Sequence, residues 1–75
     1  APLTGIRVID AARHVVAPGF IDLHEHGQQE ESYRMMVSDG VTSAFELEVG
    51  PGDVAAWYEA RQGGQIVNHG VSVGH

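Results

Sequence analysis

Residues 18–27 read Pro18-Gly19-Phe20-Ile21-Asp22-Leu23-His24-Glu25-His26-Gly27, with two histidines two positions apart just before a glycine. Side chains two apart on a β-strand point to the same face, and a rise of about 3.3 Å per residue keeps both imidazole rings close together. Neutral imidazole is a common ligand of borderline divalent metals such as zinc. The stretch therefore predicts a strand over residues 20–26 that presents His24 and His26 to one metal ion.

Two further segments extend this pattern. One is Asp39-Gly40-Val41-Thr42-Ser43 and the other, at the end of the chain, is Val73-Gly74-His75. Residues 18–26 and 39–43 resemble the starts of the first two barrel strands in the amidohydrolase superfamily, which includes dihydroorotases, hydantoinases and N-acyl-amino-acid deacylases. The last segment is similar to a Gly-His pair that follows the third strand in D-aminoacylase-like members. The resemblance implies an α/β fold of the (β/α)8 TIM-barrel type.

Length limits how much of that fold is expected, because a complete (β/α)8 barrel needs about 250 residues and this chain has 75. The resemblance implies a partial TIM barrel with about the first three β/α units, in residues 18–75. Residues 1–17 would be the tail of a small flanking β-sandwich domain, with short strands at 6–10 and 14–16. The chain is thus expected to be a fragment of a longer polypeptide.

Hydrophobic periodicity predicts alternating strands and helices after residue 18. Residues 30–38 form an amphipathic helix with Tyr33, Met36 and Val37 on one stripe, and residues 41–49 alternate as a strand. A second helix begins at an Asp53 N-cap, and a third strand begins near residue 65. Short connections in such a βαβαβ succession favour a parallel sheet.

The second predicted strand carries two glutamates on the face opposite its mostly apolar side. If that apolar side meets the helices, Glu46 and Glu48 point into the barrel, where an ionised group is costly unless it is paired or metal-bound. Glu48 lies nearer the end of the strand and is either an oxygen ligand of the metal or half of a structural ion pair. Glu46 sits deeper and is the weaker ligand candidate.

Three more residues are candidates for contacts around the metal or the substrate. The resemblance implies that Asp22 orients a ligand histidine or packs behind it. It also implies that His69 and His75 lie near the substrate, with a hydrogen-bonded loop histidine as the alternative for each. No catalytic residue is assigned within the chain, because the family's general base would lie beyond His75.

Composition excludes several classes of function. Four Lys plus Arg against ten Asp plus Glu give a formal charge of −6, which argues against a nucleic-acid partner. Cysteine is absent, so any metal must be held by nitrogen and oxygen, and lysine is absent, so a carboxylated lysine bridge cannot form. No apolar run is long enough to cross a bilayer, and a cytoplasmic location is compatible with the composition.

The function that the resemblance implies is hydrolysis of a small-molecule amide or other C–N bond by water activated on one or two divalent ions, zinc first. A deacylase is the first choice and an N-acetylglucosamine-6-phosphate deacetylase relative the second. An alternative from another class is a non-catalytic metal-binding or assembly module. Its open sheet edge would be completed by a partner chain, and the isolated chain is expected to oligomerise and to be catalytically inactive.

Overall fold

A computed structural model describes residues 4–74. Within this range the chain forms one three-stranded parallel sheet in the order β1-β2-β3. Its elements, in chain order, are β1 (Phe20–Asp22), α1 (Glu30–Ser38), β2 (Val41–Glu46), α2 (Val54–Glu59) and β3 (Asn68–Val71). The predicted βαβαβ succession and the parallel pairing are confirmed.

The first helix has the bounds that its sequence predicts. Glu30 and Glu31 occupy its first turn, where acidic side chains suit the positive end of the helix dipole. It ends before Gly40, whose φ of +91° belongs to the left-handed region that glycine adopts without strain. The second helix starts as expected, with the Asp53 side chain accepting from Ala56 N at 2.9 Å, and it ends at Glu59.

A small apolar core lies between α1 and the sheet. Its buried members are Tyr33 of α1, which is 1% exposed, Ala44 of β2, and Val67 directly before β3, with Met36 packed against them. Tyr33 and Met36 thus occupy the predicted buried stripe of the helix, whereas Val37 lies exposed. Because so few apolar side chains are buried, each contributes a large share of the hydrophobic stabilisation.

The expectation of a partial TIM barrel is wrong. Three parallel strands and two short helices make a mixed α/β fold that is too small to support a barrel fragment. The first strand ends at Asp22 instead of His26, and its register shifts between Phe20 and Ile21. Asp22 Oδ1 accepts a hydrogen bond from His24 N at 2.9 Å, and this local turn draws the chain out of the parallel ladder.

The short strands predicted at residues 6–10 and 14–16 are also absent, because residues 4–19 form no strand. Their apolar side chains, including Ile6, Val8 and Val15, are exposed and have no apolar face to pack against. The faces of β2 differ from expectation as well. The face of β2 that carries Glu46 is expected to line a barrel interior, yet Ala44, two positions earlier on the same face, belongs to the core that α1 covers.

No helix within residues 4–74 combines the length and the apolar character that a membrane span requires.

Substitution of Gly50 should destabilise the loop that joins β2 to α2. Gly50 has a φ of +63°, and an added Cβ would lie 2.0 Å from the backbone oxygen of Ser72. Gly50→Ala should therefore lower the free energy of unfolding by about 2 to 5 kcal/mol, from left-handed strain plus overpacking against backbone. The measurement is urea unfolding followed by circular dichroism.

Gly63→Ala is the matched control for this prediction. Gly63 also has a positive φ, +93°, but no atom lies within 4 Å of the position of its added Cβ. It should lose only the backbone contribution of about 1 to 2 kcal/mol. Equal losses in the two variants would contradict the close approach of Gly50 to Ser72.

Candidate metal centre

The segment after β1 continues beside the end of β2. Glu25 N donates to Phe45 O at 3.1 Å, and His24 forms an isolated antiparallel bridge with Glu46. The partners on β2 advance from Ala44 opposite Asp22 to Glu46 opposite His24, so the chain stays beside β2 up to its last residue. This brings the His24 and His26 side chains to the point where β2 ends.

Three side chains from these two segments converge. His24 Nε2 lies 2.8 Å from Glu48 Oε2, and His26 Nε2 lies 3.1 Å from the same oxygen. The two imidazole rings meet edge to face with their centroids 4.7 Å apart. His24, His26 and Glu48 can each offer one ligand atom such that all three atoms lie within 4.8 Å of one another.

This cluster is open to solvent on one side. The side chains of His24, His26 and Glu48 are 68%, 48% and 62% exposed. Exposed ion pairs of this kind contribute little to stability, about 0 to 1 kcal/mol. Stabilisation of the fold is therefore a poor explanation for the convergence of these three side chains.

Glu46 lies behind the cluster and is buried, with 6% of its surface exposed. Its Oε1 accepts from Glu48 N at 3.0 Å and from Val49 N at 2.9 Å. Its Oε2 forms a short contact with His26 Nδ1. A buried carboxylate is costly unless it is hydrogen-bonded, and these three nitrogen donors compensate that cost.

The same contacts shift two pKa values in opposite directions. The hydrogen bond to Glu46 raises the pKa of His26 above its ordinary 6.5, against the opposing effect of desolvation, and the charges of Glu46 and Glu48 act in the same direction. Burial alone would raise the pKa of Glu46. The N–H groups of Val49 and Glu48, together with His26, nevertheless hold that pKa below its ordinary 4.5.

The donor set fits a divalent ion such as zinc. Ligand atoms about 2.0 to 2.2 Å from a tetrahedral zinc ion lie roughly 3.4 Å from one another. The separations from Glu48 Oε2, 2.8 and 3.1 Å, are slightly shorter, so small side-chain rotations suffice. Two imidazole nitrogens and one carboxylate oxygen are ligands that zinc accepts.

The remaining sequence-predicted residues lie elsewhere or serve other contacts. Asp22 accepts from His24 N and lines an open groove of about 460 Å³ with residues of α1, including Met35 and Met36. His69 packs among aromatic rings, with centroid distances of 5.5 Å to Trp57, 6.1 Å to Tyr58 and 6.4 Å to Tyr33. His75 lies outside the described residues.

The sequence did not predict one contact, which joins α2 to the segment that carries the two histidines. The Arg61 guanidinium lies 3.7 Å from the centre of the Trp57 ring, and its Nη2 donates to Gln28 O at 2.7 Å. Gln28 comes two residues after His26, so this bond holds the segment that carries the histidines. The i, i+4 spacing of Trp57 and Arg61 was the available signal, but nothing local indicates Gln28 as the acceptor.

The opposite pKa shifts predict a pH window for stability of the metal-free chain. The raised pKa of His26 gives stability that is present below pH 6.5 and is lost as the pH rises through the raised value. The lowered pKa of Glu46 gives stability that is present above pH 4.5 and is lost as the pH falls through the lowered value. Both contributions are therefore complete between pH 4.5 and 6.5.

Urea midpoints measured across this range should fall on both sides of the window in the wild-type chain. His26→Ala should remove the decline on the alkaline side, because the titrating imidazole is gone. His14→Ala replaces an exposed histidine from outside the cluster and should leave the profile unchanged. A His26→Ala profile identical to wild type would contradict the assignment to the His26–Glu46 contact.

Comparison with protein-family models, with curated proteins and with solved structures gave no match for this chain. Its class is therefore defined by the fold and the site alone. It is a mixed α/β chain with a parallel sheet and a solvent-open cluster of two histidines and one glutamate at the end of the central strand.

Proposed function

We propose that this chain supplies the metal-binding residues of a metal-dependent hydrolase that cleaves an amide or another C–N bond. The observation that carries the proposal is the convergence of His24, His26 and Glu48 on one point beside the central strand. Three protein ligands with a fourth position left to water or substrate are typical of catalytic zinc sites, whereas structural sites are closed by four. The exposure of the cluster leaves room for that fourth ligand.

The chemistry of such a site follows from its ligands. A bound divalent ion would lower the pKa of a coordinated water and polarise the scissile carbonyl. His24 and His26 would hold the ion through Nε2. Glu48 would add a carboxylate, whose negative charge attracts a divalent cation. Glu46 would keep His26 in place from behind.

We propose further that the 75-residue chain has no hydrolytic activity by itself. A hydrolytic site also needs a group that moves a proton to or from the reacting atoms. The nearby carboxylates are already engaged: Glu46 with three donors, Asp22 with His24 N, and Glu25 with Gly27 N. A free general base is therefore lacking among the described residues around the cluster.

The substrate class rests on the sequence resemblance. The His-x-His stretch at residues 24–26 and the Gly-Val-Thr segment at 40–42 resemble amidohydrolases that act on acylated amino acids or on cyclic amides. An N-acyl-amino-acid deacylase is the first choice, and a deacetylase of N-acetylglucosamine 6-phosphate is the second. Both reactions cleave an amide with water, so the same metal chemistry serves either substrate.

The test combines metal analysis with a turnover assay. The purified chain, stripped by a chelator and reloaded with zinc or cobalt, should bind one ion per chain. It should not hydrolyse N-acyl amino acids or N-acetylglucosamine 6-phosphate. The longest polypeptide that the encoding reading frame yields should hydrolyse one of them, lose activity to the chelator, and lose it in His24→Ala. A metal-independent turnover, or none with any amide, would refute the hydrolase proposal.

A non-catalytic metal-binding module is the second candidate, and the exposed apolar side chains of β1 and the following turn favour it. Phe20, Ile21 and Leu23 are largely exposed, and β1 and β3 form open edges of the sheet in the described residues. Such edges pair readily with another chain. Light scattering with zinc should then give a dimer that contains one ion per two chains and reverts with chelator.

A further inference from the structure

We propose that Glu46 is the positioning residue of this centre, because it selects the His26 tautomer that leaves Nε2 free for a ligand bond and holds the backbone that carries Glu48. The effect of Glu46 on the ion rests on the proposed function. The tautomer of His26 is a property of the metal-free chain and is tested without any metal.

The contacts of Glu46 reach every member of the cluster. Its Oε2 meets His26 Nδ1, and its Oε1 accepts from the backbone N–H of Glu48 at 3.0 Å. Its own backbone forms the isolated bridge with His24. No other residue in the described part of the chain has hydrogen bonds or bridges to all three.

The tautomer follows from the chemistry of the contact. An ionised carboxylate can only accept, and each nitrogen of His26 faces one, Nδ1 that of Glu46 and Nε2 that of Glu48. The contact with Glu46 is the shorter one and its carboxylate is buried, whereas Glu48 is exposed to water, so a single hydrogen is held on Nδ1. A neutral imidazole has one N–H, and if that hydrogen is on Nδ1, the lone pair is on Nε2. In His26 this nitrogen lies 3.1 Å from Glu48 Oε2, on the side where the cluster converges. The free lone pair therefore points to the proposed ion position.

The burial of Glu46 strengthens its preference for the His26 tautomer with the hydrogen on Nδ1. Glu46 is 6% exposed, so water competes poorly for its oxygens, and both oxygens have partners in the protein. The bonds from Oε1 to Glu48 N and Val49 N also fix the turn that follows β2. Glu48 is thereby presented to the histidines before any ion binds, which is how outer contacts raise metal affinity.

Glu46→Gln separates a positioning role from a merely structural one. The glutamine oxygen can still accept from Glu48 N and Val49 N, so the turn should be retained. Its amide nitrogen, however, is a donor and would face His26 Nδ1. The neutral imidazole should then move its hydrogen to Nε2, which removes the lone pair from the cluster side.

The experiment records long-range ¹H–¹⁵N correlations of the imidazoles in metal-free protein at alkaline pH, followed by competition titration with zinc. Wild-type His26 should carry its hydrogen on Nδ1. Glu46→Gln should carry it on Nε2 and bind zinc about 10- to 100-fold more weakly. Glu46→Asp, which restores a carboxylate acceptor, should retain the Nδ1 hydrogen. Glu25→Gln, whose parent carboxylate accepts from Gly27 N, should match wild type in both measurements.

A wild-type His26 with its hydrogen on Nε2 would overturn the inference, and this measurement requires no variant to fold. An unchanged tautomer or an unchanged zinc affinity in Glu46→Gln would overturn it too. Failure of the proposed function has a different signature. In that case the tautomers follow the predicted pattern, but the wild-type chain does not retain zinc against a weak chelator.

Discussion

Alanine at both His24 and His26 should abolish zinc binding by the chain. Zinc sites with four protein ligands gain about 10 to 16 kcal/mol, which is roughly 2.5 to 4 kcal/mol for each ligand. Because every 1.4 kcal/mol corresponds to a tenfold change in affinity, about two to three decades are lost with each ligand. Single alanine variants should therefore weaken zinc binding about 100- to 1,000-fold, and the double variant should show none.

Competition with a chromophoric chelator measures this loss, and cobalt spectra report the ligand field independently. Glu48→Gln should behave like the single histidine variants, because it keeps the size of the side chain and removes its charge. His14→Ala is the matched control, since His14 is exposed and its Nδ1 contacts Ala12 O outside the cluster. Comparable zinc affinity in the double variant and in His14→Ala would refute the proposal that His24 and His26 bind the ion.

The second large effect is expected in the core. Tyr33→Ala should lower the free energy of unfolding by about 3 to 5 kcal/mol, because it empties the site of the one large side chain that is fully buried. Small domains are stable by only about 5 to 15 kcal/mol, so much of the native population should be lost. Urea unfolding followed by circular dichroism measures the change.

Tyr33→Phe is the control that separates the ring from the hydroxyl. It keeps the packing against Ala44 and Val67 and removes only the hydrogen bond to Gln28. The expected loss is about 1 kcal/mol. A Tyr33→Ala chain that unfolds at the wild-type urea concentration would show that the three-residue core does not hold the sheet together.

The core and the metal centre should also be linked. Ala44 precedes Glu46 by two positions on β2, so loss of the core loosens the strand that carries Glu46 and leads into the turn with Glu48. An ion that binds only the folded chain stabilises it by mass action. Zinc should therefore raise the urea midpoint of Tyr33→Ala, and it should not do so when His24 and His26 are also alanine.

Local sequence was sufficient for the parts of the fold that neighbours in the chain decide. The bounds of α1 follow from its apolar stripe and from Gly40, and the start of α2 follows from the Asp53 cap. The parallel order of the strands follows from the helices between them. The barrel interpretation failed because it assigned the core to the wrong face of β2 and extended β1 through His26, whereas the chain leaves the ladder after Asp22.

The amino-acid sequence by itself determined the helices, the order of the strands and which side chains are of a type that can bind a metal, since these depend on periodicity, caps and residue type over a few positions. Only the tertiary structure decided that His24 lies beside Glu46, that Glu48 meets both imidazoles and that Glu46 is buried behind them. The physical reason is that these contacts join residues about twenty positions apart. Their energies depend on the distance and burial that folding creates, which no local pattern encodes.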